Sequence, residues 1–163
     1  MKKMLVFALS AVMALSLAAC GSSGKPEENS LEIPNPFTEC ETMDEAAKLA
    51  GFGLCAPDAV DGQEKTAIRV LTEGGFVEVI YRSGDDRAVI RKAAGSEDIS
   101  GDYTEYAESN TVAVGEIQVT MQGGNGQVRL ATWTNDGYTY SIGVYAETGV
   151  SSDMMADLGA AVQ

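Results

Sequence analysis

The chain has 163 residues, with 24 Asp and Glu against 11 Lys and Arg, a formal net charge of −13 and no histidine. Such acidity repels nucleic acid, which needs a basic surface. The missing histidine removes the commonest general base and the commonest metal ligand, and the length suits one domain able to bury a core.

Lys2 and Lys3 precede an apolar run over residues 4–17 that ends in Leu17-Ala18-Ala19-Cys20. The run is short for a bilayer span, which takes about 20 apolar residues, and has the shape of a secretory signal. Its end resembles the lipobox of bacterial lipoproteins, which implies cleavage before Cys20 and lipid attachment to the Cys20 thiol. The expected layout is a signal peptide over 1–19, a tether over 20–36 and one domain over 37–163. Two or more acyl chains hold a protein stably where one does not. Removing the two leader lysines takes the charge from −13 to −15, so anionic headgroups repel the domain and the lipid alone must hold it. The expected localisation is the extracytoplasmic face of the cell membrane. The tether is Gly- and Ser-rich, with Pro26, Pro34 and Pro36 stiffening it toward the domain.

The first predicted helix opens on Thr42-Met43-Asp44-Glu45, a capping box with Thr42 as N-cap. Met43, Ala46, Ala47 and Ala50 share one face, and Gly51 stops the helix. Strand patterns follow over residues 67–72, 76–82 and 88–93, with Gly74-Gly75 and Gly84-Asp85 as two-residue hairpin loops. These loops predict Val70 opposite Val79, Ile68 opposite Tyr81, Val79 opposite Ile90 and Tyr81 opposite Ala88, so the apolar sets share a face. Residues 95–111 read as a polar connection. A second meander is predicted over 112–121, 127–134 and 138–145, with a loop centred on Gly124-Asn125 pairing Met121 with Val128 and Val119 with Leu130. A last helix follows Ser151-Ser152, with Met154, Met155, Leu158, Ala161 and Val162 as its apolar stripe. The expected fold is α+β: about six antiparallel strands in two three-strand meanders, two helices on one face and the other face open to water.

The segments Asn35-Pro36-Phe37 through Cys40, Glu45-Ala46-Ala47, Ala50-Gly51-Phe52, Ile99-Ser100-Gly101-Asp102-Tyr103, Trp133 and Tyr138-Thr139-Tyr140-Ser141 together resemble an uncharacterised domain of small Gram-positive lipoproteins. A similar domain is attached to some anti-sigma and sporulation proteins. The resemblance covers nearly all of residues 35–163 and is one of overall pattern. It carries over no active-site residue and implies an extracytoplasmic sensing or binding role.

The residues offer little for catalysis. Neither Gly-x-Ser-x-Gly nor His-Glu-x-x-His occurs. The adjacent pairs Asp85-Asp86 and Glu97-Asp98 fall in predicted loops and read as solvated turn residues. Glu97, Asp98 and Asp102 could offer oxygens to calcium, but their spacing is not that of an EF-hand, and no metal or other cofactor is expected. The sharper candidate is the open sheet face, where Arg69, Arg82, Arg91, Arg129 and Trp133 gather in the registers above. Arginine with tryptophan recognises carboxylates, sugars and protein surfaces. A two-residue turn within Asn135-Asp136-Gly137 would send Trp133 and Arg129 inward and bury an arginine without a partner, so a three-residue turn is expected. The plainer reading is a solvated face with Glu78 opposite Arg91 and Thr120 opposite Arg129.

Cys40 and Cys55 are the only thiols left once Cys20 carries lipid. They flank the first helix at a reach the chain can close, and a disulfide between them is expected; two free thiols acting as small apolar side chains are the alternative. The functional expectation is a membrane-anchored, non-enzymatic binding or sensing module of the cell envelope. Its candidate partners are the membrane through Cys20, an envelope protein, or a small anionic or sugar ligand. The alternatives are a docking protein that pairs with another envelope protein, or a carboxylate-only hydrolase.

Overall fold

The computed structural model describes residues 35–71 and 75–163. The expected signal peptide, Cys20 and all but the last two residues of the tether lie outside the described residues. Among the described residues there are nine strands and two helices: β1 (Phe37–Cys40), α1 (Met43–Ala50), β2 (Ala59–Val60), β3 (Gln63–Leu71), β4 (Phe76–Ser83), β5 (Asp86–Ala94), β6 (Glu108–Val114), β7 (Ile117–Gly124), β8 (Gln127–Asn135), β9 (Tyr138–Tyr145) and α2 (Ser152–Ala161). The strands form one antiparallel sheet in the order β1-β3-β4-β5-β9-β8-β7-β6, with β2 paired to β3. The α+β class therefore stands, but the expected six strands in two meanders become nine in one sheet. The β5–β9 pairing joins the two halves.

Local chemistry explains most elements. The Thr42 hydroxyl accepts from the Glu45 N–H at 3.1 Å, while Glu45 Oε2 accepts from the Glu41 N–H at 2.9 Å, so the start of α1 is satisfied on both sides. Gly51 closes the helix with a left-handed φ of 83°. Ser151 caps α2 by accepting from the Met154 N–H at 3.2 Å. Two hairpins turn on Asn125-Gly126 and Asp136-Gly137, with φ of 55° and 72° in the first and 50° and 81° in the second. Positive φ at both central residues is the type I′ pattern, whose twist suits a two-residue hairpin.

The registers differ from expectation in instructive ways. Val79 does face Ile90 and Tyr81 does face Ala88. At the first hairpin, however, Leu71 faces Phe76, Val70 faces Val77 and Ile68 faces Val79. The connection is thus longer than Gly74-Gly75, and the pairing moves by two residues. A shift of two keeps every side chain on its face, which is why the apolar alignment survives. Residues 112–121 form parts of two strands, β6 and β7, with Gly115-Glu116 as the turn. The next loop is Asn125-Gly126 rather than Gly124-Asn125, and Met121 faces Ala131 while Thr120 faces Thr132.

The two faces are covered differently. Helix α1 packs on β3 and β4, and α2 on β6, β7 and β8. Between helices and sheet lies the main core, including Ala46, Val70, Val79, Tyr81, Ile90, Ile142, Met155 and Leu158. The opposite face is not open to water as expected. Ile80, Val89 and Leu130 are buried there, outside the main cluster. The connection after β5 folds back onto this face, and its Ser100 is 1% exposed. Arg91 holds it by donating to the backbone oxygens of Ile99 and Ser100. Asp102 accepts the Thr104 N–H at 2.9 Å and the Tyr106 hydroxyl at 2.7 Å. Burial raises the Asp102 pKa, but these hydrogen bonds outweigh it and hold the carboxyl below its usual value. Burial and the bond to Asp102 push Tyr106 up to about 12.

Candidate functional site

The expected arginine face is present but its charges are spent. Glu78 is 2% exposed and lies between Arg69 and Arg91 on neighbouring strands. Its Oε1 accepts from Arg69 Nε at 3.1 Å and from Arg69 Nη2, and its Oε2 accepts from Arg91 Nε at 2.7 Å. Arg69 also stacks over Phe37 and Arg91 over Phe76. Arg82 is exposed, with no ion pair among the described residues. Arg129 donates to the backbone oxygens of Ala146 and Glu147 at 2.8 and 2.7 Å. The five candidate residues therefore do not form one recognition surface.

Trp133 overturns its expected orientation outright. The two-residue turn at Asp136-Gly137 pairs Asn135 with Tyr138 and Trp133 with Tyr140, which places Trp133 on the helix-covered face. It is 5% exposed. The objection to this turn was a buried, unpaired Arg129. A bulge removes it: Gln122 faces Leu130 and Gly123 faces Val128, so Arg129 has no cross-strand partner on β7 and turns its guanidinium to the carbonyls.

The two cysteines are free thiols, so the expected disulfide is not formed. Strand pairing fixes Cys40 opposite Ile68, while the Cys55 backbone is tied to Gln163 by bonds of 2.7 and 3.3 Å. Cys40 is half-buried and Cys55 exposed; burial, with Glu45 and Glu39 nearby, raises the Cys40 pKa.

The inward turn of Trp133 builds a different site. Val70, Val77, Lys92, Tyr140 and Trp133 follow one another across the inner face of β3, β4, β5, β9 and β8. Lys92 interrupts this apolar row and is 7% exposed. Its Nζ donates to the Gly53 carbonyl at 2.7 Å and lies 5.6, 4.5 and 5.1 Å from the ring centroids of Phe52, Tyr138 and Tyr140. Trp133 stacks on Tyr140 with centroids 5.2 Å apart and rings 1° from parallel. Among the described residues no carboxylate pairs with Lys92.

Lys92, Trp133, Tyr138 and Tyr140 line a cavity of about 460 Å³, closed on one side by Gly159 and Val162 of the α2 end and by Val114 and Ile117 of the β6–β7 hairpin. This is a volume typical of small-molecule sites, which combine apolar and aromatic walls with a few placed polar groups. The indole N–H of Trp133 and the hydroxyls of Tyr138 and Tyr140 make no hydrogen bond among the described residues. A shallower groove of about 380 Å³ on the other face is polar, lined by Thr120, Thr132, Thr139, Glu97 and Asp98. It has no comparable buried charge. Asp85 sits at the β4–β5 turn and is exposed, as are Glu97 and Asp98. Among the described residues, no group of three or more His, Cys, Asp or Glu could hold a metal, and no helix is long and apolar enough to cross a membrane.

Lys92 was not singled out from the sequence. The signal was there: Ala88, Ile90 and Lys92 alternate on one face, so a covered Ile90 implies a covered Lys92. Comparison with protein-family models, with curated proteins and with solved structures finds no match to the chain.

Proposed function

We propose that the protein is a membrane-anchored extracytoplasmic lipoprotein whose domain is a non-enzymatic binding or sensing module for a small ligand. The carrying observation is Lys92: a buried ammonium with one carbonyl acceptor and three aromatic rings, on a side chain that lines a cavity of about 460 Å³ together with two of those rings, Tyr138 and Tyr140. Burying a charge costs several kcal/mol unless it is paired, and cation–π contacts offset only part of that, about 0.5–2 kcal/mol. Such a group is retained at a cost, which supports a role beyond packing. The resemblance to small Gram-positive lipoproteins and the lipobox at Cys20 support the location.

Trp133 is the only tryptophan, so its emission reports on the cavity directly. Titration with a panel of small ring compounds should shift that emission saturably for some members. A panel that leaves it unchanged at millimolar concentration counts against ligand binding. For the anchor, Cys20→Ala is expected to move the protein from the membrane to the soluble fraction or leave it as uncut precursor. Wild-type protein recovered soluble, with an unmodified Cys20 at its N-terminus, would remove the lipid from the reading.

The docking alternative would use β6, which ends the sheet order and has one edge unpaired by any described strand. Its exposed Glu108, Ser109, Asn110 and Thr111 are polar, and charged or polar short edges are a common guard against strand pairing.

A further inference from the structure

We infer that the cavity beside Lys92 takes a flat-ringed monocarboxylate. This rests on the reading of the cavity as a ligand site and names the ligand's class. The ammonium has three protons. One goes to the Gly53 carbonyl at 2.7 Å, and the other two have only ring faces as partners among the described residues. A carboxylate oxygen at the cavity's inner end would accept one or both and supply the missing counter-charge, giving the shorter and stronger bond that an ionised pair makes.

The charge of the ligand is bounded from two sides. Among the described residues Lys92 is the single cation lining the cavity, and the exposed Asp136 lines it as well. A dianion such as a phosphate monoester would meet one ammonium and one repelling carboxylate. It would also lack the forked arginine donors that phosphate favours. A monoanion meets half that repulsion, and the one ammonium balances its charge. The walls are aromatic and apolar: Trp133 and Tyr140 stack on each other with centroids 5.2 Å apart, and Tyr138, Val162 and Ile117 line the rest. A planar ring packs well against such aromatic walls, in offset or edge-to-face contact. The unbonded Trp133 N–H and Tyr138 hydroxyl remain to orient a polar substituent on the ring.

The test is calorimetric titration of the full chain, solubilised in mild detergent, with matched pairs: benzoate against benzamide, and 4-hydroxyphenylacetate against its amide. In the wild type each acid is expected to bind at least tenfold more tightly than its amide. In Lys92→Met, with Trp133 emission and circular dichroism confirming the fold, that ratio should fall to near one. Acetate should compete with the acids, which tests the same contact without any substitution. Equal binding of acid and amide by the wild type, or a preference that survives Lys92→Met, overturns the carboxylate inference and leaves the cavity as a ligand site. Binding of neither member, together with no response of Trp133 to the wider panel, overturns both.

Discussion

Replacing Glu78 with glutamine is expected to lower the unfolding free energy by about 3–5 kcal/mol, the cost of stripping one partner from a buried ion pair. Glu78 is 2% exposed and serves two arginines at once, whose side chains are 27% and 17% exposed. Without its charge, two guanidinium groups remain close together against the sheet with no anion between them. Arg91 keeps the Ile99 and Ser100 carbonyls, but these do not neutralise it. Urea unfolding followed by Trp133 emission measures the loss. The companion variant Glu78→Leu with Arg69→Met and Arg91→Met is expected to be neutral or more stable, since apolar packing commonly replaces a buried ionic triad without penalty. A loss below about 1 kcal/mol for Glu78→Gln would mean that water reaches the pair, as at an exposed salt bridge.

Trp133→Ala is expected to cost about 3–5 kcal/mol, the range for truncating a large aromatic in a core. The indole stacks on Tyr140 and packs within the main cluster beneath the helices. An outward Trp133 on a solvated face would cost within about 0.5 kcal/mol. Thermal and urea midpoints, followed by circular dichroism because the variant has no tryptophan, separate the two placements cleanly. The milder Trp133→Phe should keep most of the stability and weaken ring-ligand binding at Lys92.

These two residues mark where the sequence could be read and where it could not. The helices were legible because their caps are local: Thr42 with Glu45, and Ser151 with Met154, need only four consecutive residues each. The inward sets of β4 and β5 were legible because alternation fixes a face whatever the exact register. What failed was non-local. Nothing near Phe37 or Ala59 announces that β1 and β2 will add to the side of β3. The bulge that frees Arg129 depends on β7 opposite it, so the argument that Trp133 must face outward rested on a clash that the fold avoids. The polar stretch after β5 gave no sign that it would seal the second face, because its hold is one buried serine and the carbonyls that Arg91 reaches. The candidate site followed the same division. Its aromatic residues were visible, but Lys92 became a candidate only when Phe52 and Gly53 came to it from the far side of α1.

The seam between β5 and β9 also sets a timetable for folding. Ala94 faces Tyr138 and Ile90 faces Ile142, so this pairing joins strands separated by the whole of β6, β7 and β8. Each hairpin on either side can zip locally in microseconds, whereas the seam must first close a long loop. During synthesis the β5 edge, carrying Val89 and Ile90, therefore stands bare until β9 has emerged. The main kinetic barrier is expected at this closure, and the unguarded β5 edge is where chains made in excess would first associate with one another.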